Sequence, residues 1–270
     1  MSKVLIKSSL RYPGGKQRLV KDIFRKIPSQ FTEYREPFFG GGSVFFYIKQ
    51  QKNDLNHWWI NDKFEPIANF WQQSATSASE ITNIVTSMKQ QYPTGKELHS
   101  RLRKEYGSLS KEAQAAALFI LNRCSFSGLT FSGGYSQQAY DGRLTLNSVK
   151  NISKLETLFK DTKITALDYN DLLAAPAQET NGKVFIFLDP PYDIKSNNLY
   201  GNIGNMHQSF NHIQFAENCK NCKDHLWMIT YNDNEHIRHL FSWANIQEID
   251  VTYNMNSAAK RKKELVITNY

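Results

Sequence analysis

The stretch Lys183-Val184-Phe185-Ile186-Phe187-Leu188-Asp189-Pro190-Pro191-Tyr192 sets the fold class of this 270-residue chain. Its continuous apolar run, preceded by Gly182 and followed by two prolines, is typical of a strand that is buried on both faces of a parallel sheet. Proline cannot donate a hydrogen bond to a neighbouring strand, so the strand should stop at Asp189. We therefore expect a buried parallel strand with Asp189 at its carboxyl end.

Two segments nearer the N-terminus show related patterns. One leads into Glu36-Pro37-Phe38-Phe39-Gly40-Gly41-Gly42-Ser43, and the other is His57-Trp58-Trp59-Ile60-Asn61-Asp62. Helical periodicity occurs between the strands, for example from residue 17 to 27 and from 112 to 122. Strands that alternate with helices predict an α/β fold with a Rossmann-like, doubly wound, mostly parallel sheet, whose ligands bind at the carboxyl ends of the strands.

The middle of the chain has a different pattern. Residues 74–148 are helical and polar at first and then rich in turn-forming residues. We predict that this segment is an insertion at one edge of the sheet, and that residues 1–73 and 149–270 together form the main domain.

The composition favours a polyanionic partner. Lysine and arginine total 33 against 25 acidic residues, a formal net charge of +8 with a sequence pI near 9.2. Basic proteins bind nucleic acid because neutralising phosphates releases condensed counterions, although a generically basic soluble protein fits the charge equally well. No apolar run approaches the roughly 20 residues of a bilayer span, and the N-terminal apolar run is too short for a signal peptide. We expect a cytoplasmic protein with no membrane partner.

The cysteines could suggest a metal site. Cys219 and Cys222 form a Cys-x-x-Cys pair with His225 close behind, and Cys124 lies far away. A structural zinc site usually needs a second pair of ligands at a set spacing, and none is visible. We therefore predict no metal and expect these cysteines on a helix face.

The glycines of the first segment indicate a ligand loop. Glycine lets the backbone turn tightly and approach a ligand, and the helix that follows offers unpaired amide donors. A plain tight turn explains the glycines alone equally well. Asp62, about twenty residues further on, ends the next predicted strand and is placed to accept the ribose hydroxyls of an adenosine-bearing cofactor. A second glycine pattern of the dinucleotide kind is missing, which disfavours a nicotinamide enzyme.

The residues after the third strand suit an amino group. The Asp189 carboxylate and the Pro190 carbonyl form two acceptors, which match an amino group with two hydrogens. The ring of Tyr192 offers a stacking face for a planar base. The alternative is a strand end capped by prolines, with the tyrosine packed against it.

Four motifs, in this order, resemble the Dam-type DNA adenine methyltransferases, which belong to the alpha class of amino-methyltransferases. They are Arg11-Tyr12-Pro13-Gly14-Gly15-Lys16, Glu36 to Ser43, Leu121-Asn122-Arg123 and Asp189-Pro190-Pro191-Tyr192. The segment from Lys260 to Leu265 is also similar to the family. The resemblance implies a monomeric, site-specific enzyme that transfers a methyl group from S-adenosylmethionine (SAM) to the exocyclic amino group of adenine in double-stranded DNA. It also implies that residues 74–148 recognise the target.

The resemblance further implies roles for individual residues. The predicted cofactor contacts are Tyr12, Lys16, Phe38, Gly40, Gly42, Ser43, Asp62, Asp168 and Asp189. For Asp168, capping of the following helix is an equally good explanation. The predicted catalytic residues are Asp189, Pro190, Pro191 and Tyr192. The two acceptors would hold the amino nitrogen towards the methyl group, after the adenine has flipped out of the duplex onto Tyr192.

The predicted DNA contacts lie in three parts of the chain. They are Arg11, Arg123, Ser127, Leu129, Phe131, Lys260, Arg261, Lys262 and Lys263. Phe131 stands where the family has a base-reading arginine, so a bidentate guanine contact is lost there and the family's GATC target is not carried over. Arg123 could instead be structural, and the basic run could be a solvated surface.

Other functions remain open at this stage. An RNA adenine methyltransferase could carry the same tetrapeptide. An amino-cytosine enzyme usually has serine in place of Asp189, which disfavours that class. A non-catalytic DNA-binding protein would not need Asp189, Pro190 and Tyr192.

Overall fold

The structure, a computed structural model, describes residues 5–52, 54–92, 94–193, 210–255 and 258–270, without the side chains of residues 127 and 251–262. Seven strands form one sheet in the order β3-β2-β1-β4-β5-β7-β6. The strands are Glu33–Glu36 (β1), His57–Asn61 (β2), Thr162–Thr165 (β3), Val184–Leu188 (β4), Leu226–Asn232 (β5), Asn245–Met255 (β6) and Ala258–Thr268 (β7).

The sheet is mostly parallel, as expected from the sequence. Strands β1 to β5 pair in parallel, while β7 runs antiparallel between β5 and β6. The chain passes from β1 outward to β3 and then returns to β4, so the strand order reverses between β1 and β4. Ligands bind at such a switch point in open α/β sheets. The α/β fold with a Rossmann-like sheet is therefore confirmed.

The helices flank the sheet and fill the segment between β2 and β3. They are Val20–Lys26 (α1), Ser43–Gln51 (α2), Glu65–Thr76 (α3), Ala78–Gln91 (α4), Gly95–Glu105 (α5), Lys111–Cys124 (α6), Gln137–Arg143 (α7), Leu146–Lys150 (α8), Leu155–Leu158 (α9), Tyr169–Ala174 (α10), His212–Asn221 (α11) and Glu235–Leu240 (α12). Short 3-10 turns occur at Tyr106–Ser108, Phe126–Gly128 and Ile152–Lys154.

The segment between β2 and β3 packs as a helical layer. Helix α6 begins where the Ser110 hydroxyl accepts a hydrogen bond from the Ala113 amide, and it packs against α3 and α4. The predicted insertion boundaries, 73/74 and 148/149, fall inside α3 and α8. The division of the chain into a main domain and an insertion stays a prediction.

The core lies on both faces of the central strands. Every residue of β4 is buried, because α/β sheets are covered by helices on both sides. Cys219 is buried on α11, and the Cys222 thiol lies 3.6 Å from the Leu173 carbonyl oxygen. Within the described ranges, no helix is long and apolar enough to cross a bilayer.

Candidate active site at the carboxyl ends of the parallel strands

A cavity of about 300 Å³ opens where β1, β2 and β4 end. All nine residues that were predicted to contact a cofactor line it: Tyr12, Lys16, Phe38, Gly40, Gly42, Ser43, Asp62, Asp168 and Asp189. Pro191 also lines the cavity, and Pro190 is buried beside it. The fold thus brings these separated residues to one place, while their contact with a cofactor stays a prediction.

The glycine loop between β1 and α2 has a backbone that only glycine adopts easily. Gly40 and Gly42 have φ angles of 46° and 63°. A Cβ atom at Gly40 would lie 2.7 Å from the Tyr12 ring, and one at Gly42 would lie 2.3 Å from the Phe39 ring. The glycines therefore allow the loop to turn under two aromatic rings, and α2 begins directly after it.

Asp62, directly after β2, is held by backbone amides. Its Oδ2 accepts a hydrogen bond from the Gly40 amide at 2.7 Å, and its Oδ1 accepts one from the Phe64 amide at 2.9 Å. Burial raises the pKa of Asp62 to about 6, although the two amides oppose this shift. Asp62 therefore ties the glycine loop to β2 and titrates close to neutral pH.

Asp168 has the capping role that competed with its cofactor role. Its side chain accepts a hydrogen bond from the Asn170 amide at 3.1 Å, and its own amide donates to the Asp171 carboxylate, which completes a capping box for α10. Its Oδ2 also lies 2.8 Å from the Lys63 ammonium. The capping interpretation is confirmed, and a cofactor contact stays a prediction.

An aromatic wall lies beside Asp168 and was not identified from the sequence. Phe38 stacks on Tyr169 with ring centroids 5.4 Å apart and an interplanar angle of 28°. Phe210 and Phe215 contact Phe38 edge-on at 5.7 and 5.8 Å. Phe38, Tyr169 and Phe210 line the cavity. Phe38 was found through its motif, whereas Tyr169 and Phe210 carry no local signal beyond their residue type.

Asp189, directly after β4, is held by side chains. Its Oδ2 accepts a hydrogen bond from the Lys16 ammonium at 2.7 Å, and its Oδ1 accepts one from the Thr230 hydroxyl at 2.7 Å. Lys16 is only 4% exposed and also donates to the Gly14 carbonyl. Burial raises the pKa of Asp189, and the Lys16 charge and both hydrogen bonds oppose that shift.

Glu36, at the end of β1, adds a further carboxyl group to the cavity. It is buried, and its Oε2 accepts a hydrogen bond from the Tyr34 hydroxyl at 2.5 Å. Burial raises the pKa of Glu36 to about 8, and the charge of Asp189 raises it further. The sequence analysis quoted Glu36 within its motif but assigned it no role.

Tyr192 is held at its hydroxyl and over its ring. The hydroxyl donates a hydrogen bond to Oε2 of Glu264 at 2.9 Å, and Glu264 is a buried residue of β7. The Lys16 ammonium lies 4.8 Å from the Tyr192 ring centroid. The tetrapeptide Asp189 to Tyr192 is therefore in contact with the glycine–lysine segment on one side and with β7 on the other.

The predicted DNA contacts Arg11 and Arg123 lie in one cluster with Arg143, the last residue of α7. Burial lowers the pKa of Arg11, and the charge of Arg143 lowers it further. Burial likewise lowers the pKa of Arg123 to about 10, with further lowering by Arg11 and Arg143. Among the residues that the structure describes, which include all 25 acids of the chain, none forms a salt bridge with these arginines.

Parts of two of these guanidinium groups lack hydrogen-bond partners. Arg123 Nη2 donates to the Ser9 carbonyl at 2.5 Å, which is the structural role that competed with a phosphate contact. However, Arg11 Nη1 and Arg123 Nε are buried without a partner in the described part of the chain. Buried donors without partners are costly, so the cluster has capacity for an anionic ligand.

The Asn122 side chain links the turn at Phe126–Gly128 to the N-terminal segment by hydrogen bonds. Its side chain accepts from the Arg11 amide at 2.8 Å and donates to the carbonyls of Arg11 and Gly128 at 2.8 and 3.0 Å. Phe126 on this turn is 69% exposed, and the sequence analysis assigned it no role. The side chain of Ser127 lies outside the described residues.

Phe131 packs within the protein. Its ring contacts Tyr106 at 4.9 Å and Phe64 at 6.0 Å, and Leu129 nearby is half-buried. Contacts of these two residues with DNA stay predictions, and the packing gives Phe131 a structural reason to be apolar.

The basic run lies on β7. The backbone of Lys260, Arg261 and Lys262 belongs to that strand, whereas their side chains lie outside the described residues. Lys263 is exposed and forms an ion pair with Glu248 on β6. Phosphate contacts by these four residues stay predictions.

Comparison with known proteins supports the family resemblance. Residues 12–255 match the family model described as D12 class N6 adenine-specific DNA methyltransferase. The chain is 23% identical over 288 residues to the type II methyltransferase M1.LlaDCHI of Lactococcus lactis subsp. cremoris, covering 100% of this chain and 97% of that protein. It is also 23% identical over 265 residues to a DNA adenine methylase of Vibrio cholerae, covering 94% and 92%.

A crystal structure of SMU.472 complexed with SAH is similar at a TM-score of 0.41 and 13% identity. The match covers 97% of this chain and 54% of that chain.

Proposed function

We propose, since the chain belongs to the D12 class of N6 adenine-specific DNA methyltransferases, that the cavity binds SAM and that Asp189 to Tyr192 hold a flipped adenine. Methyl transfer from SAM to adenine in DNA is the activity of this class, and the residue roles are the proposal. The observation that carries it is the ion pair between Lys16 and Asp189, because it joins the cavity to the tetrapeptide at 2.7 Å.

The lining of the cavity fits SAM. The glycine loop allows close approach of a ligand to backbone amides, and Asp62 offers a carboxylate for the two ribose hydroxyls. Phe38 presents an aromatic wall that suits a flat adenine ring. The Asp189 carboxylate lines the same cavity and favours a ligand with a positively charged sulfonium.

Bound SAM supplies an electrophilic methyl group. The Asp189 carboxylate accepts one hydrogen of the adenine amino group, and the Pro190 carbonyl accepts the other. Each carboxylate oxygen can accept two hydrogen bonds, so Asp189 has room for adenine beside Lys16 and Thr230. Holding both hydrogens fixes the nitrogen lone pair in one direction, and such positioning lowers the barrier without a covalent enzyme intermediate.

Two aromatic residues have distinct roles in base flipping. Tyr192 lies beside Asp189 and stacks on the extruded adenine. Phe126 is 69% exposed on a turn that Asn122 clips to Arg11. An exposed apolar ring among DNA-binding residues is suited to enter the base stack and fill the gap that the extruded base leaves.

The arginine cluster contacts the DNA backbone. Arg11, Arg123 and Arg143 form no salt bridge with a carboxylate, and two of their buried nitrogens lack partners among the described residues. A phosphate supplies both the negative charge and the acceptor oxygens. Lys260 to Lys263 add further phosphate contacts from β7.

Residues 74–148 form the target-recognition region in this proposal, and the main domain comprises residues 1–73 and 149–270. The enzyme acts as a monomer on double-stranded DNA in the cytoplasm. The name of the L. lactis relative includes the words type II methyltransferase, which favours a place in a restriction–modification system.

The test is transfer of tritium from methyl-labelled SAM to duplex DNA, with modified-base sequencing to locate the product. We expect N6-methyladenine within one short sequence. Label that enters RNA but not DNA would favour an RNA enzyme. SAM binding without transfer to either substrate, or DNA binding without SAM binding, would contradict the proposed roles.

A further inference from the structure

We propose that Glu264 is a positioning residue that orients the ring of Tyr192 for stacking on the extruded base. The proposal rests on the proposed function of Tyr192. Its basis is the 2.9 Å hydrogen bond from the Tyr192 hydroxyl to Oε2 of Glu264, a residue that is 4% exposed and lies 72 positions further along the chain.

The backbone around Tyr192 is already restrained, so the ring orientation is the freedom that remains. Pro190 and Pro191 fix their own φ angles immediately before it. Directly after it, the Asp193 carbonyl accepts a hydrogen bond from the Asn232 side chain at 2.8 Å. A tyrosine side chain still rotates about two torsions, and a bond at the far end of the ring restricts both.

A carboxylate at position 264 is costly to the fold. Burying a charge is unfavourable unless it is paired or hydrogen-bonded. Val266 lies two residues further along β7, on the same face of the strand, and is a buried apolar residue. At position 264 the chain instead has a carboxylate, and the Tyr192 hydroxyl donates a hydrogen bond to it.

The charge of Glu264 also acts against the catalytic group. It raises the pKa of Asp189, and so it opposes the ionised form that accepts the adenine hydrogen. The carboxylate that accepts from Tyr192 therefore also acts on the electrostatics of Asp189, three residues before Tyr192.

Glu264 also connects this orientation to DNA binding. Lys263 directly precedes it and is exposed, and the predicted phosphate contacts continue back to Lys260 on the same strand. The strand that meets the DNA backbone therefore also carries the acceptor for Tyr192.

The experiment is a double-mutant cycle in the full chain, with Glu264→Leu, Tyr192→Phe and the double variant. Two quantities are measured: the single-turnover rate of methyl transfer at saturating SAM, and the fluorescence of duplex DNA that carries 2-aminopurine at the target position. Glu264→Gln keeps an acceptor for the hydroxyl, and Glu156→Gln, the same change at an exposed position on α9, is the control. Thermal unfolding and SAM affinity are measured for every variant.

We expect Glu264→Leu to slow transfer by about tenfold to a hundredfold, the effect of one hydrogen bond to a charged group. Tyr192→Phe should cause a similar loss, and the double variant should be no slower than the slower single variant, because both changes remove the same bond. Stacking on Tyr192 quenches 2-aminopurine, so the bound DNA should be brighter in the slow variants, with SAM affinity unchanged. Glu264→Gln should recover most of the rate.

Several results would overturn the inference. They are multiplicative losses in the double variant, unchanged fluorescence in Glu264→Leu, or a normal rate in Tyr192→Phe. If Glu264→Leu does not fold, Tyr192→Phe still removes the bond from the other partner, and a normal rate and normal fluorescence in that variant would overturn the inference. Failure of the wild-type protein to methylate DNA would instead contradict the proposed function.

Discussion

The carboxyl ends of β2 and β4 each present an aspartate to the same cavity, the buried Asp62 and the half-buried Asp189, but the two carboxylates are held differently. Asp62 accepts hydrogen bonds from the backbone amides of Gly40 and Phe64. Asp189 accepts them from the side chains of Lys16 and Thr230. Backbone donors can leave only if the loop itself deforms, whereas side-chain donors can rotate away.

This difference separates a binding role from a reactive role. The β2 end is a permanent part of the loop, which suits a ligand that should bind in one fixed pose. The β4 end can exchange partners, which suits a carboxylate that must accept a new hydrogen bond during each turnover. Preorganisation therefore differs between two strand ends that lie on either side of β1 in one sheet.

We expect the largest effect from a substitution at the end of β4 alone. We expect Asp189→Ala to lower the single-turnover rate of methyl transfer by on the order of 100–1000-fold, because only one of two preorganised acceptors then remains. The variant should still fold and bind DNA, but its unfolding temperature should fall, because the buried Lys16 ammonium loses its ion-pair partner. A rate within a few-fold of the wild type would show that the exchangeable end is not the catalytic one.

The matching change on the β2 side should affect binding instead of chemistry. We expect Asp62→Ala to weaken SAM binding by about 1–3 kcal/mol through lost charge-assisted hydrogen bonds. At saturating SAM the transfer rate should recover. Calorimetry on the folded variant measures this, and an unchanged affinity would remove Asp62 from the cofactor site.

The pH dependence of SAM binding is a second test of the role of Asp62 at the end of β2. The pKa of Asp62 is about 6 in the folded chain, above its ordinary value of 3.8. If the ionised form binds the ribose, SAM affinity should rise about tenfold between pH 5 and pH 7 and then level off. Asp62→Asn should bind more weakly at neutral pH, with no such rise.

The contribution of Asp62 to folding stability should change with pH in the opposite direction to SAM affinity. A raised pKa means that the folded chain keeps a proton that the unfolded chain releases, so the Asp62 contribution to stability falls as pH rises from about 4 to 6. Tighter SAM binding at pH 7 would therefore not reflect a more stable protein. Parallel curves of affinity and unfolding temperature would contradict this assignment.

The smallest expected effect concerns the cluster of Arg11, Arg123 and Arg143, in which two buried nitrogens lack partners among the described residues. Arg143→Ala should lower the slope of log affinity for DNA against log salt by about 1, the amount for one lost phosphate contact. Binding should weaken equally for target and non-target duplexes. Lys150→Ala, an exposed residue on α8, is the control, and an unchanged slope in Arg143→Ala would exclude the phosphate role.

The sequence was sufficient for the features that depend on local pattern. The run from Val184 to Leu188 predicted a buried parallel strand because it is uniformly apolar, and the glycines at 40 and 42 predicted a tight loop because few other residues adopt such backbone angles. Both signals lie within a few consecutive residues. The nine predicted cofactor contacts came from short motifs and strand ends of this kind, and all nine line one cavity.

The residues that the sequence analysis did not identify reach the site through contacts between distant parts of the chain. Thr230 and Glu264 reach the tetrapeptide because β5 lies next to β4 and β7 lies next to β5 in the sheet, and nothing in their local sequence indicates this. The sequence analysis missed Arg143 for the same reason, because its neighbours Arg11 and Arg123 belong to other parts of the chain. The antiparallel placement of β7 between β5 and β6 likewise follows from strand pairing that no local periodicity specifies.

The placement of β7 also has a consequence for protein synthesis. Strand β6 pairs with β7 and is joined to the rest of the sheet through it, yet β7 is translated later. While the ribosome has not yet released residues 258–268, the nascent chain holds β6 with no neighbouring strand, and the Tyr192 hydroxyl lacks its acceptor. A ribosome-bound chain stalled before residue 258 should therefore expose this edge to chaperones and to pairing with other nascent chains.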